Sequence, residues 1–129
     1  MALKVIAVDP DPEDLVRLSE SIRRIMPPGT SVECFRDPLF AHQYACLNPV
    51  DALYALAEMN HMTGFEIARF LRGKYPQLQV YLLWRNGDYR RDAQRLGADG
   101  YIVKPATPEA LRRAKEQAEK DDGWIEPLQ

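Results

Sequence analysis

Leu96-Gly97-Ala98-Asp99-Gly100-Tyr101-Ile102-Val103-Lys104-Pro105 is the stretch on which the fold turns. Leu96-Gly97 ends a helix, because glycine takes up the left-handed cap conformation at little steric cost. Tyr101-Ile102-Val103 is a short apolar run with strand character, closed by Lys104-Pro105. Thr107-Pro108-Glu109 then opens another helix, with a capping hydroxyl and a proline at the first helical position. In open α/β sheets ligands bind at the carboxyl ends of the strands, so Lys104 is placed to hold an anion.

Working outward, four more apolar runs appear at Lys4–Val8, Ser31–Phe35, Ala52–Leu56 and Val80–Trp84. They are continuous rather than alternating, as expected of strands covered on both faces. The segments between them have helical spacing, with Leu15, Leu18, Ile22 and Ile25 on one stripe and Ile67, Phe70 and Leu71 on another. Their starts are marked by Asp11-Pro12-Glu13-Asp14, by Asp37-Pro38, and by a capping box of Thr63 with Glu66. Pro27-Pro28-Gly29 stops the first helix. Five alternations of strand and helix predict an α/β domain with right-handed crossovers and a parallel sheet.

The 129 residues carry a net charge of −2 and are 46% hydrophobic, which suits a single globular core. That balance predicts no nucleic-acid partner and no membrane partner. No apolar stretch approaches the roughly 20 residues of a membrane helix. The first residues run straight into a strand without a signal-peptide layout, and Cys34 and Cys46 read as reduced thiols, so the expected location is cytoplasmic.

A phosphate-binding loop needs glycines after the first strand, so that backbone N–H groups can approach the ligand. This chain has Asp9-Pro10-Asp11-Pro12-Glu13-Asp14 there, four acids and two prolines that repel phosphate and remove donors. Asp11, Glu13 and Asp14 read as helix-capping acids. Asp9, at the strand end, shares the sheet edge with Lys104.

Over about residues 3 to 118 the chain resembles a response-regulator receiver domain of two-component phosphorelay signalling. The resemblance is carried by Lys4-Val5-Ile6-Ala7-Val8-Asp9, by the frame from Asp51 to Gly64-Phe65-Glu66, and by the stretch quoted first with Thr107-Pro108-Glu109-Ala110-Leu111. It implies a flavodoxin-like (βα)5 three-layer sandwich with sheet order 2-1-3-4-5 and a cis peptide before Pro105. Residues 1–120 form the receiver-like domain and 121–129 a polar tail containing Trp124.

In that family a histidine kinase passes a phosphoryl group to an aspartate at the end of the third strand. Two acids after the first strand hold magnesium, and a hydroxyl and a lysine end the fourth and fifth strands. The first acid is present here as Asp9, but the second is Pro10. The ungapped frame puts Leu56 at the phosphoacceptor and Trp84 at the hydroxyl, while Lys104, Pro105 and the aromatic Tyr101 are retained. Leucine cannot attack phosphorus and proline offers a metal no side-chain oxygen. The resemblance therefore implies a degenerate pseudo-receiver, with no catalytic residue, no metal site, and magnesium binding weak or absent.

The expected structure has an indole filling the hydroxyl's space, Tyr101 packed on or near Trp84 in one locked conformation, and Lys104 paired with Asp9 or Glu58. Asp51 starts the third strand roughly 16 Å from the site edge, too far to stand in. Two alternatives remain, modification at Glu58 in the loop after Leu56, or a small anion held near Lys104 with Arg85. His42 with Cys46 could offer half a zinc site but lacks a second pair, and His61 reads as solvent-facing. The expected partner is a protein, or a second copy in a homodimer, on the helix 4–strand 5–helix 5 face. Tyr89, Arg90, Arg91, Arg95, Tyr101, Arg112 and Arg113 would line that face, with Trp124 as a further aromatic anchor.

Overall fold

A computed structural model describes residues 2–118, so the 121–129 tail and Trp124 lie outside the described residues. The chain alternates β1 (Lys4–Val8), α1 (Pro12–Ile25), β2 (Ser31–Phe35), α2 (Pro38–Leu47), β3 (Ala52–Leu56), α3 (Gly64–Lys74), β4 (Gln79–Trp84), α4 (Arg90–Leu96), β5 (Gly100–Val103) and α5 (Pro108–Ala118). All neighbouring strands are parallel, in the order β2-β1-β3-β4-β5, which is the flavodoxin-like topology the resemblance implied.

Two apolar layers hold the sheet between them. Val5 and Ala7 face α1 and α5 together with Leu18, Ile22 and Leu111, whereas Ile6 and Val8 face α2, α3 and α4 together with Ala41, Ile67 and Ala93. Burying each large aliphatic side chain contributes about 1.5–3 kcal/mol. Successive β1 residues serve opposite layers, which is why the strand reads as an unbroken apolar run.

The helix ends follow local chemistry. Asp11 accepts from the backbone N–H groups of Glu13 and Asp14, Asp37 from that of Leu39, and Thr107 from that of Ala110. Thr63 and Glu66 form the reciprocal capping box. Gly97 ends α4 at a φ of 81°. The Lys104–Pro105 peptide is cis.

Some expectations shift. β4 and β5 each begin one residue early, because Gln79 pairs with Ala52 and Gly100 with Tyr81. Phe70 is not on the buried stripe of α3. Ile67 and Leu71 are fully covered, while Phe70 turns outward and lies against the His42 ring at 4.0 Å between centroids. Ile25 is only partly buried, at the open end of α1.

Candidate functional site: a cleft closed by its own cation

The carboxyl ends of β1, β3, β4 and β5 meet in a cleft of about 410 Å³ lined by Asp9, Asp14, Leu56, Glu58, Trp84, Arg85, Tyr89 and Lys104, among others. Asp9 leaves β1 with its own N–H donating to the Phe35 carbonyl at 3.0 Å, and is 1% exposed. Its Oδ1 accepts from the Asp11 N–H at 3.0 Å, so the proline-punctuated loop wraps back onto it.

Lys104 enters from β5, anchored by its N–H on the Trp84 carbonyl at 2.9 Å. Its ammonium lies 2.6 Å from Asp9 Oδ2 and 2.8 Å from Asp14 Oδ2, with only 6% of the side chain exposed. Arg85 adds a second cation on Asp14 Oδ2 at 2.9 Å. The hydrogen bond from Lys104 holds the Asp14 carboxyl below its ordinary range, against the opposing push of burial and with further help from Arg85.

Asp14 is the site residue that the sequence reading assigned only to capping. It precedes the buried Leu18 by one turn, which places it on the inward face of α1. That spacing was the available signal. Glu58, by contrast, is not a partner of Lys104. Its Oε2 accepts from the Tyr89 hydroxyl at 2.7 Å, which raises the Tyr89 pKa.

The apolar half of the site is built around Trp84, the last residue of β4 and 4% exposed. Tyr101 stacks on its indole at 5.0 Å between centroids and 7° between planes, as expected from the sequence. Tyr89 meets the same indole edge-on at 5.5 Å. Leu56 ends β3 and lines the same cleft, and the loop of residues 57–63 leads from it into α3. Gly64 makes that connection possible, since a Cβ there would collide with the Leu56 carbonyl oxygen.

Magnesium prefers octahedral oxygen ligation and keeps much of its water. The residues present do not fit it. Both inward carboxylates already bind Lys104, Pro10 has no side-chain oxygen, and Leu56 presents hydrocarbon. Among the described residues no three His, Cys, Asp or Glu side chains group as metal ligands. Cys46 Sγ lies 4.0 Å from His42 Nδ1 as an isolated pair. His61 is exposed, and Asp51 sits at the far end of the sheet, accepting from the Lys4 N–H at 2.8 Å.

Of the residues grouped on the helix 4–strand 5–helix 5 face, Arg91, Arg95, Arg112 and Arg113 are exposed. Arg90 is forked onto Asp88, at 3.0 Å from Nε and 2.9 Å from Nη2, so much of its charge is neutralised locally. Tyr89 lies over the cleft mouth rather than on the outer face, because Trp84 and Glu58 hold its two ends. Tyr101 is half-buried between cleft and surface.

The family profile described as Response regulator receiver domain matches residues 5–116. No curated protein sequence matches the chain. Among solved structures, the chemotaxis response regulator CheY4 of Vibrio cholerae is similar, with 25% identity, a TM-score of 0.76, and coverage of 92% of this chain and 99% of that one. The BeF3-activated DrrB receiver domain matches at 25% identity and a TM-score of 0.76, over 93% of this chain and 100% of that one. A CheY-like receiver domain protein from Methanospirillum hungatei shares the fold at 18% identity and a TM-score of 0.76, covering 92% and 95% of the two chains. Among the described residues no helix is long and apolar enough to cross a membrane. With the sheet order, the cis Lys104–Pro105 bond and the profile in agreement, this chain belongs to the response-regulator receiver family of two-component signalling.

Proposed function

We propose that this receiver domain is a pseudo-receiver, a non-catalytic signalling module that works by protein–protein contact in the cytoplasm without aspartyl phosphorylation. The observation that carries this reading is the Lys104 ammonium held between Asp9 and Asp14, with Leu56 beside them. The chain's own cation takes the carboxylates that a metal would need, and no nucleophile faces it from β3.

The stacked Trp84–Tyr101 pair supports a single signalling conformation, because the space a moving hydroxyl would need is filled by an indole. The partner surface is the helix 4–strand 5–helix 5 face, where Arg91, Arg95, Arg112 and Arg113 are exposed and Arg113 shares a surface hollow with the half-exposed Val103. That chemistry fits an acidic protein segment with an apolar residue at its centre. A small anion is a poorer occupant of the cleft, since Lys104 and Arg85 both already bind Asp14.

Incubation with acetyl phosphate and magnesium, followed by intact-mass measurement, tests the reading. We expect an unchanged mass. Gain of one phosphoryl group, lost in Glu58→Gln, would establish instead that the domain is modified at Glu58.

A further inference from the structure

The helix α2 is built like a core element yet lies at the β2 edge of the sheet, the edge opposite β5. Its sequence, Pro-Leu-Phe-Ala-His-Gln-Tyr-Ala-Cys-Leu, contains no Asp, Glu, Lys or Arg. One face, Pro38, Ala41 and Ala45, is buried against the domain through small residues. A second stripe, Phe40, Gln43, Tyr44 and Leu47, repeats at i, i+3, i+4 and i+7, the spacing that normally marks a core-facing surface. That stripe borders an open groove of about 760 Å³. Phe40 is 60% exposed and Leu47 85%, while Tyr44 packs on Phe35 to form the apolar floor.

We propose that this stripe is a self-association surface, on which a second copy of the chain docks its own α2 antiparallel about a two-fold axis near Gln43 and Tyr44. In that register Phe40 of each copy lies opposite Leu47 of the other, and each ring enters the partner's groove. The argument for a second copy rests on charge and area. The helix has no charged side chain, and the groove beside it adds one cation, Arg36, and one acid, Asp37, so the surface carries no net charge and two copies meet there without net like-charge repulsion. Phe40 and Leu47 stand exposed beside the Phe35–Tyr44 floor as an apolar patch on the order of a few hundred Å², the size that marks an interaction surface. Doubled by symmetry and extended by the polar rim, this approaches the roughly 1,200 Å² at the lower bound of a specific interface. Homodimer interfaces are also the more apolar class, closer to a core cut in two.

This inference is independent of the pseudo-receiver reading and uses the opposite edge of the sheet. Sedimentation velocity from low to high micromolar concentration tests it, with circular dichroism to check folding. The wild type is expected to dimerise. Phe40→Glu and Leu47→Lys, both at exposed positions, are each expected to weaken association at least about a hundredfold, since each buries an unpaired charge against apolar surface. An equimolar mixture of the two variants should re-form a dimer, because in the antiparallel register the new acid faces the new lysine. Charge reversal at Arg91 and Arg112 should leave the dimer intact. A wild type monomeric throughout, as expected if the groove serves another protein, would overturn the proposal. So would dimerisation that survives Phe40→Glu, is abolished by Arg91 and Arg112 reversal, or is not restored in the mixture.

Discussion

At the scale of single residues, Lys104 matters more for what it neutralises than for its own charge. Asp9 is buried and its Oδ2 faces the ammonium, so Lys104→Met would leave a carboxylate in a site with little water. Breaking a buried pair from one side costs about 3–5 kcal/mol, and we expect a loss of that size in urea titration. Asp9→Asn combined with Lys104→Met should recover at least half of it, because the amide keeps the acceptor used by the Asp11 N–H. Asp14 gives the pH dependence. Its pKa is lowered on folding, so the stability it contributes is fully present above the unfolded carboxyl range near about 4. It disappears as the pH falls through the lower folded value. Chemical denaturation at a series of acidic pH values should show this slope flattened in Asp14→Asn. Tyr54 behaves oppositely to a useful polar group. Its hydroxyl is buried with no hydrogen-bond partner among the described residues, and burial raises its pKa. Tyr54→Phe should therefore raise the melting temperature by about 4 °C, equivalent to about 1 kcal/mol.

Among the elements, β4 and the turn from β3 into α3 decide what the site can do. Trp84 fills the space between β4, Tyr101 and Tyr89, so Trp84→Ala should cost about 3–5 kcal/mol and release the Tyr101 ring. NMR of the Tyr101 ring should then show exchange between rotamers that is absent in the wild type. The elements themselves were largely legible in the sequence. Asp11, Thr63 and Thr107 announce their helices because a capping side chain acts within four residues of itself. Local chemistry cannot say which way a side chain turns when two neighbours compete for it. Phe70 fits the inward stripe of α3 by spacing, yet turns outward to the His42 ring, a contact between two helices. Likewise Asp14 reads as a first-turn acid, and only the arrival of β5 from 90 residues away turns it into a partner of Lys104. Glu58 is claimed by Tyr89, at the start of α4, before Lys104 can reach it.

For the whole molecule, the stretch from Leu96 to Pro105 marked the parallel sheet, and the order β2-β1-β3-β4-β5 followed from the resemblance it carries. The site was half legible. Pro10, Leu56 and Trp84 at the strand ends stand in the sequence, whereas the way the charges around them close on one another depends on tertiary approach. What results is a receiver whose carboxyl edge is completed internally, by two carboxylates on a lysine and two aromatic rings on an indole. On the pseudo-receiver proposal, such an edge should not respond to the ions that drive a receiver between states. The most direct test is an amide NMR spectrum recorded before and after addition of magnesium with beryllium fluoride. The account predicts superimposable spectra at Asp9, Leu56, Trp84, Tyr101 and Lys104. Saturable shifts at Leu56 and Tyr101 would contradict it, because they would mean that the cleft still admits a phosphoryl-like group and still transmits its arrival.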